Sequence, residues 1–141
     1  MHQITKFTSG ELPPAPIGQL IGFKLVSAKD GEAVVELDAD KRFANPMGTL
    51  HGGVLCDIAD AAMGIAFSTT LEPGETFTTV ELKINFIRPV REAKLFAEGK
   101  VAHRGRTIGY VECDVIDENG KLVAKSNSTC LVLRGEKAVG R

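Results

Sequence analysis

Cysteine is scarce. Cys56, Cys113 and Cys130 are the only three among 141 residues, and they stand far apart. That number and scatter exclude a disulfide framework and a zinc site of paired cysteines. Each thiol is expected to pack as a small apolar side chain in a reducing compartment. Net charge is nearly absent, at −1, so no basic surplus supports nucleic-acid binding and any cationic patch must be local. No apolar run reaches membrane-spanning length, and the first residues lack a signal-peptide core. The expectation is a cytoplasmic protein with no membrane partner. Repeats and low-complexity stretches are missing. No His/Cys cluster has metal-ligand spacing, so neither a metal nor another cofactor is expected. The remainder is ordinary: 43% hydrophobic and 25% charged residues, enough for a single domain over 1–141 with a real core.

Residues 1–16, ending in Pro13-Pro14-Ala15-Pro16, read as an extended N-terminal arm, and 135–141 as a frayed tail. A short helix fits Ile17 to Leu20. Phe23–Ser27 and Ala33–Asp38 alternate like strands around the turn signal Lys29-Asp30-Gly31-Glu32, which predicts a hairpin. A loop from Lys41 to Leu50 leads into a long helix, about Gly52 to Leu71. After Pro73-Gly74 everything reads as strand: Phe77–Pro89, Ala93–His103, Thr107–Ile116 and Lys121–Leu133, with Asn119-Gly120 closing a hairpin turn. Short connections imply antiparallel pairing. The fold class is therefore α+β, a curved antiparallel sheet wrapped around one long central helix. That helix is apolar around its circumference and must be covered on most sides. One sheet also leaves two free edges. Both facts point to a homodimer or a dimer of dimers.

The segment Asn45-Pro46-Met47-Gly48-Thr49-Leu50-His51-Gly52-Gly53 carries the most information. It places an amide side chain, an imidazole and a glycine pair just ahead of the helix. Gly52 and Gly53 either make a tight turn or let a ligand approach the backbone. The first amides of a helix have no intrahelical partner and carry partial positive charge, so a carbonyl placed there is polarised. His51 is either a loop histidine satisfied by backbone groups, or it holds the loop or donates a hydrogen bond to a substrate carbonyl. Asn45 is either a turn residue before Pro46 or the amide that orients a water or a thioester. Within the helix, Asp57 and Asp60 lie three apart on neighbouring positions of one face. Burying an unpaired carboxylate costs several kcal/mol unless its pKa moves, so both are a liability or a site. Gly64, one turn after Asp60, makes room for a ligand or for close packing.

Parity raises an objection at the next strand. Thr79 shares its parity with Glu81, Lys83 and Asn85, which puts it on the polar face unless the strand bulges. Arg88, His103, Arg104 and Arg106 fall at strand ends or turns. They are either solvated surface or a basic collar for phosphates.

These residues resemble the hotdog-fold acyl-CoA thioesterases of the phenylacetate-pathway (PaaI-like) type. The match is Asn45, Gly48, Leu50-His51-Gly52-Gly53, Asp60 nine residues after His51, and Gly64. It continues through Phe86-Ile87-Arg88-Pro89, Gly99 to Arg106 and Asn119 to Ala124, and spans Gly18 to Leu133. The resemblance implies a hotdog fold and hydrolysis of a small-to-medium or aromatic acyl-CoA. It implies Asp60 as base or nucleophile, the Gly52 amide as oxyanion donor, and His51 as support for that hole. Asn45 would orient the water or thioester, and Thr79 would assist the acid. Gly53, Gly64, Arg88, Arg104 and Arg106 are the expected substrate-binding residues. It also implies a site shared between subunits, with Asn45 and His51 from one chain and Asp60 and Thr79 from the other. Asp57 stands outside the motif. The alternatives are a non-catalytic acyl-CoA-binding module and a hotdog acyl-thioester dehydratase. The Asn45-to-His51 segment argues against the dehydratase.

Overall fold

Short turns organise this chain. In the computed structural model, which describes residues 14–140, Asp30 (φ 52°) and Gly31 (φ 81°) form the two-residue turn that joins β1 (Lys24–Lys29) to β2 (Glu32–Ala39). Two successive positive φ angles match the twist of the flanking strands. β3 (Glu75–Phe86), β4 (Ala93–Arg104), β5 (Ile108–Asp117) and β6 (Leu122–Arg134) complete one antiparallel six-stranded sheet, ordered β1-β2-β4-β5-β6-β3. The Asp117 carboxylate holds the β5–β6 turn by accepting the Asn119 and Lys121 amides, both at 2.9 Å. A short helix α1 (Pro16–Ile21) precedes the sheet, and it starts within the stretch read as an arm. Residues up to 13 of that arm lie outside the described residues. Gly135–Ala138, read as a frayed tail, makes a single 3-10 turn.

Helix α2 (Gly52–Ser68) lies chiefly on β4, β2 and β5. Its buried side is Leu55, Ile58, Ala59, Ala62, Met63, Ala66 and Phe67, a three-and-four spacing that marks one helical stripe. They meet Val35, Leu37, Leu95, Val111, Val115 and Val123 from the strands. Two strand glycines allow this approach. A Cβ on Gly99 would sit 2.6 Å from the Ala62 carbonyl oxygen, and one on Gly109 would sit 2.0 Å from the fully buried Phe67 ring. Gly109→Ala is therefore expected to cost ~1–3 kcal/mol through overpacking, read as a lower urea midpoint with an unchanged slope. An unchanged midpoint would show that Phe67 moves freely.

The helix stops at Ser68, short of the expected Leu71. The hydroxyls of Ser68, Thr69 and Thr70 donate back to the carbonyls of Ile65, Ala66 and Phe67, which satisfies the last turn. A larger departure concerns its coverage. The described residues cover one side of α2: on the other, Val54, Asp57, Ala61 and Ile65 are half-buried, and Asp60 is exposed.

Candidate active site

The start of α2 is built by its own loop. His51 is the N-cap, and its Nδ1 accepts the Gly53 amide at 2.9 Å. A nitrogen that accepts carries no proton, so the ring N–H of a neutral His51 lies on Nε2. Gly53 is thereby spent on capping. A Cβ there would come 2.9 Å from His51 Nδ1, so the second glycine is needed for the cap to close. The Gly52 amide has no hydrogen-bond partner among the described residues. It is the donor left over at the positive end of the helix. The Phe86 ring stands over it, close enough that a Cβ on Gly52 would meet the ring at 2.8 Å.

Asn45 is employed locally. Its Oδ1 accepts the Met47 and Thr49 amides, at 2.9 and 3.2 Å, and its Nδ2 donates to Thr49 Oγ1 at 2.8 Å. Of the two readings of Asn45, the structure displays the turn residue: the side chain gives the loop its shape.

Further along, α2 and β3 run side by side in opposite senses, Gly52 beside Phe86 and Gly64 beside Phe77. Between them lies an open cleft of about 380 Å³, lined by Cys56, Asp57, Asp60, Thr79, Val80, Glu81 and Leu82. Thr79 reaches this cleft because β3 bulges. Thr79 pairs with Cys130 and Glu81 with Thr129, leaving Val80 as the extra residue. The bulge reverses the parity of the strand. Phe77 and Thr79 face the helix before it, and Leu82 and Ile84 after it. The parity objection to Thr79 is overturned for this reason. The Thr79 hydroxyl lies 3.9 Å from Cys130 Sγ.

The cleft walls desolvate Asp60 and push its pKa up, and the nearby Asp57 charge adds to the rise. Asp57 is raised by desolvation alone. Cys56 is raised by desolvation, then by Asp57 and Asp60, so its thiol is a poor nucleophile at neutral pH. Burial pushes the Cys113 thiol up to about 12. No three His, Cys, Asp or Glu side chains among the described residues are grouped as metal ligands.

A carboxylate of raised pKa in a cleft shared with a threonine, on a helix that begins with an unpartnered amide, suits acyl transfer. The sequence profile of the thioesterase superfamily matches residues 47–124, which carry His51, Gly52, Asp60 and Thr79. The chain belongs to the thioesterase superfamily. It is similar to a 1,4-dihydroxy-2-naphthoyl-CoA hydrolase of Listeria monocytogenes, 30% identical over 84% of this chain and 97% of that one. Among solved structures, a conserved protein from Pseudomonas aeruginosa is 35% identical, covers 85% of this chain and 95% of its own, and superposes with a TM-score of 0.80. A mutant of the phenylacetic acid degradation protein PaaI from Thermus thermophilus is 27% identical over 83% of this chain and 98% of its own, with a TM-score of 0.77. The curved sheet around one helix is the hotdog fold that the sequence resemblance implied.

In this thioesterase two of the three arginines expected to grip phosphate are tied up. The Arg88 guanidinium pairs with Asp117. Arg104 donates to Glu75 Oε1 at 2.6 Å, to Thr70 Oγ1 at 3.2 Å and to the Gly105 carbonyl, and it lies 5.4 Å above the Phe67 ring. Both brace the sheet, because a carboxylate buried to within 7% exposure must be paired. Of the three, only Arg106 is exposed and forms no ion pair among the described residues. Gly64 leaves the Phe77 ring at an ordinary 3.8 Å from where a Cβ would stand. The close approach of helix to sheet rests on Gly99 and Gly109 rather than on Gly64. Sequence reasoning missed Cys56, Val80, Glu81 and Leu82 as cleft residues. Alternation signals which side of a regular strand faces in, but nothing in the local sequence announces the bulge.

Proposed function

We propose that this thioesterase hydrolyses the thioester of a small-to-medium or aromatic acyl-CoA in the cytoplasm. Asp60 acts as base or nucleophile, Thr79 assists it, and the Gly52 amide polarises the carbonyl with His51 holding the loop in place. The observation that carries this reading is Asp60 itself: an ionisable carboxylate of raised pKa in an open cleft that Thr79 also lines. A base whose pKa moves up towards neutrality is better matched to proton abstraction. The name of the Listeria relative supports an aromatic acyl group. Turnover against a panel of acyl-CoAs, short, medium and aromatic, tests the reading. Hydrolysis of none would favour a binding module.

Gly52 and Asp60 are eight residues apart on one helix, which is roughly 12 Å at 1.5 Å per residue. One thioester group cannot touch both. The reading therefore includes a second copy of this chain, with antiparallel helices, so that one Gly52 meets the other copy's Asp60. The β3 edge is open, with Val80 58% exposed, and the outer side of α2 is only half covered.

Asp57 gives a pH prediction. A base works deprotonated, so activity falls as pH drops through the Asp60 pKa. Asp57→Asn removes the like charge that contributes to the rise. The acid limb of kcat/KM should move to lower pH, while desolvation keeps it above the ordinary aspartate range. Maximal activity should change far less than on altering Asp60. An acid limb that stays in place would assign the rise to desolvation alone.

A further inference from the structure

The loop that delivers the chain to Gly52 closes largely on itself, around Asn45. Among the described residues two hydrogen bonds reach residues 44–51 from distant sequence, and both come from one dipeptide. The Leu50 amide donates to the Val90 carbonyl at 2.8 Å, and Arg91 Nη1 donates to the Gly48 carbonyl at 3.1 Å. Gly48 has φ 85°, a backbone conformation that favours glycine. A Cβ there would lie 2.5 Å from Arg91 Nη1, so the guanidinium rests directly on the loop backbone and would have to shift for any side chain.

The dipeptide is anchored in turn. The Ile87 and Arg88 amides both donate to the Val123 carbonyl, at 2.9 and 3.1 Å. The Arg88 guanidinium pairs with Asp117, the residue that holds the β5–β6 turn. A continuous bracket therefore runs from that turn through Arg88 and Arg91 to Gly48, four residues ahead of Gly52.

We propose that Arg91 is a positioning residue for the oxyanion hole. Its guanidinium holds the Gly48 carbonyl, so that the loop presents the Gly52 amide at a fixed angle to the helix. The inference rests on the reading of Gly52 given above. An oxyanion donor helps only if it is already aimed when charge develops. The Asn45 bonds fix the shape of the loop, but only contacts from outside fix its orientation. Arg91 is exposed, so its removal should disturb this geometry without unfolding the domain. The competing use of an exposed guanidinium beside a thioesterase site is to bind the phosphates of CoA.

The test uses Arg91→Met, which keeps the packing stem and loses the donors, and Arg91→Lys, which retains a cationic donor. Each is assayed with an acyl-CoA from the panel and with the N-acetylcysteamine thioester of the same acyl group, which has no nucleotide. Amide hydrogen exchange of residues 48–53 is followed in parallel. Arg91→Met should lower kcat ~10-fold on both esters, because an oxyanion donor is misaimed rather than deleted. KM should stay within about twofold, exchange in the loop should quicken, and Arg91→Lys should recover part of kcat. A defect confined to KM of the CoA ester would overturn the proposal and assign Arg91 to phosphate. Unchanged kcat with unchanged exchange would overturn it outright. Quicker exchange with unchanged kcat would instead overturn the reading of Gly52, since the loop would have moved without effect on the chemistry.

Discussion

Asp60→Asn should lower kcat by ~100-fold or more and leave the protein folded. The amide has nearly the same shape as the carboxylate but neither takes a proton from water nor attacks a thioester. The fold should survive because Asp60 sits on the open side of α2, away from the buried stripe of Ile58, Ala62 and Phe67. The sign of its pKa shift sharpens the expectation. The folded-state pKa lies above the ordinary value. Between the two values the folded state binds more protons than the unfolded one, so stability falls as pH rises through that window. At neutral pH the ionised Asp60 is thus a net burden on the fold, and asparagine removes it. The variant should melt no lower than the parent protein, and slightly higher above that window. Steady-state kinetics and thermal melts on the same preparation check both halves. Near-parental turnover in a folded Asp60→Asn protein would sink the assignment of Asp60 as base or nucleophile.

Much of the fold was legible because local signals were strong. Asp30-Gly31 and Asn119-Gly120 marked hairpins that the structure contains, and the apolar run after Gly52 marked the helix. What stayed hidden depended on distant residues. The parity of Thr79 was wrong because a one-residue bulge at Val80 is decided by pairing with β6, fifty residues later in the chain. Arg88 and Arg104 looked like free cations at strand ends. Their partners, Asp117 and Glu75, are brought to them only by the sheet. The candidate site was legible as residue types, and the resemblance already implied that it is divided between chains. The roughly 12 Å that helix rise puts between Gly52 and Asp60 is consistent with that division. The resemblance gave Asn45 the role of orienting a water or thioester, and its side chain is seen shaping the loop ahead of His51.

Mixing two inactive variants should restore activity. Asn45→Ala loses three hydrogen bonds that shape the loop ahead of Gly52, so its half of the site fails. Asp60→Asn loses the carboxylate, so the other half fails. If each site takes its loop from one chain and its carboxylate from the other, a mixed dimer holds one doubly defective site and one intact site. Random reassortment of equal amounts makes half the dimers mixed, and activity should recover to about a quarter of the parental value in a two-fold symmetric dimer. The roughly 12 Å along α2 from Gly52 to Asp60 is the reason to expect this. So is the cleft itself, which shows Asp60 and Thr79 together and open to solvent while the Gly52 amide lies elsewhere on the same helix. Separately tagged variants, co-expressed and purified through both tags, provide the mixed species without relying on exchange. Purified in that way, heterodimers that hydrolyse no more thioester than either variant alone would place every catalytic group of a site on a single chain. A recovered rate with the acid limb of the parental pH profile would tie the activity to an intact Asp60 rather than to a rearranged site.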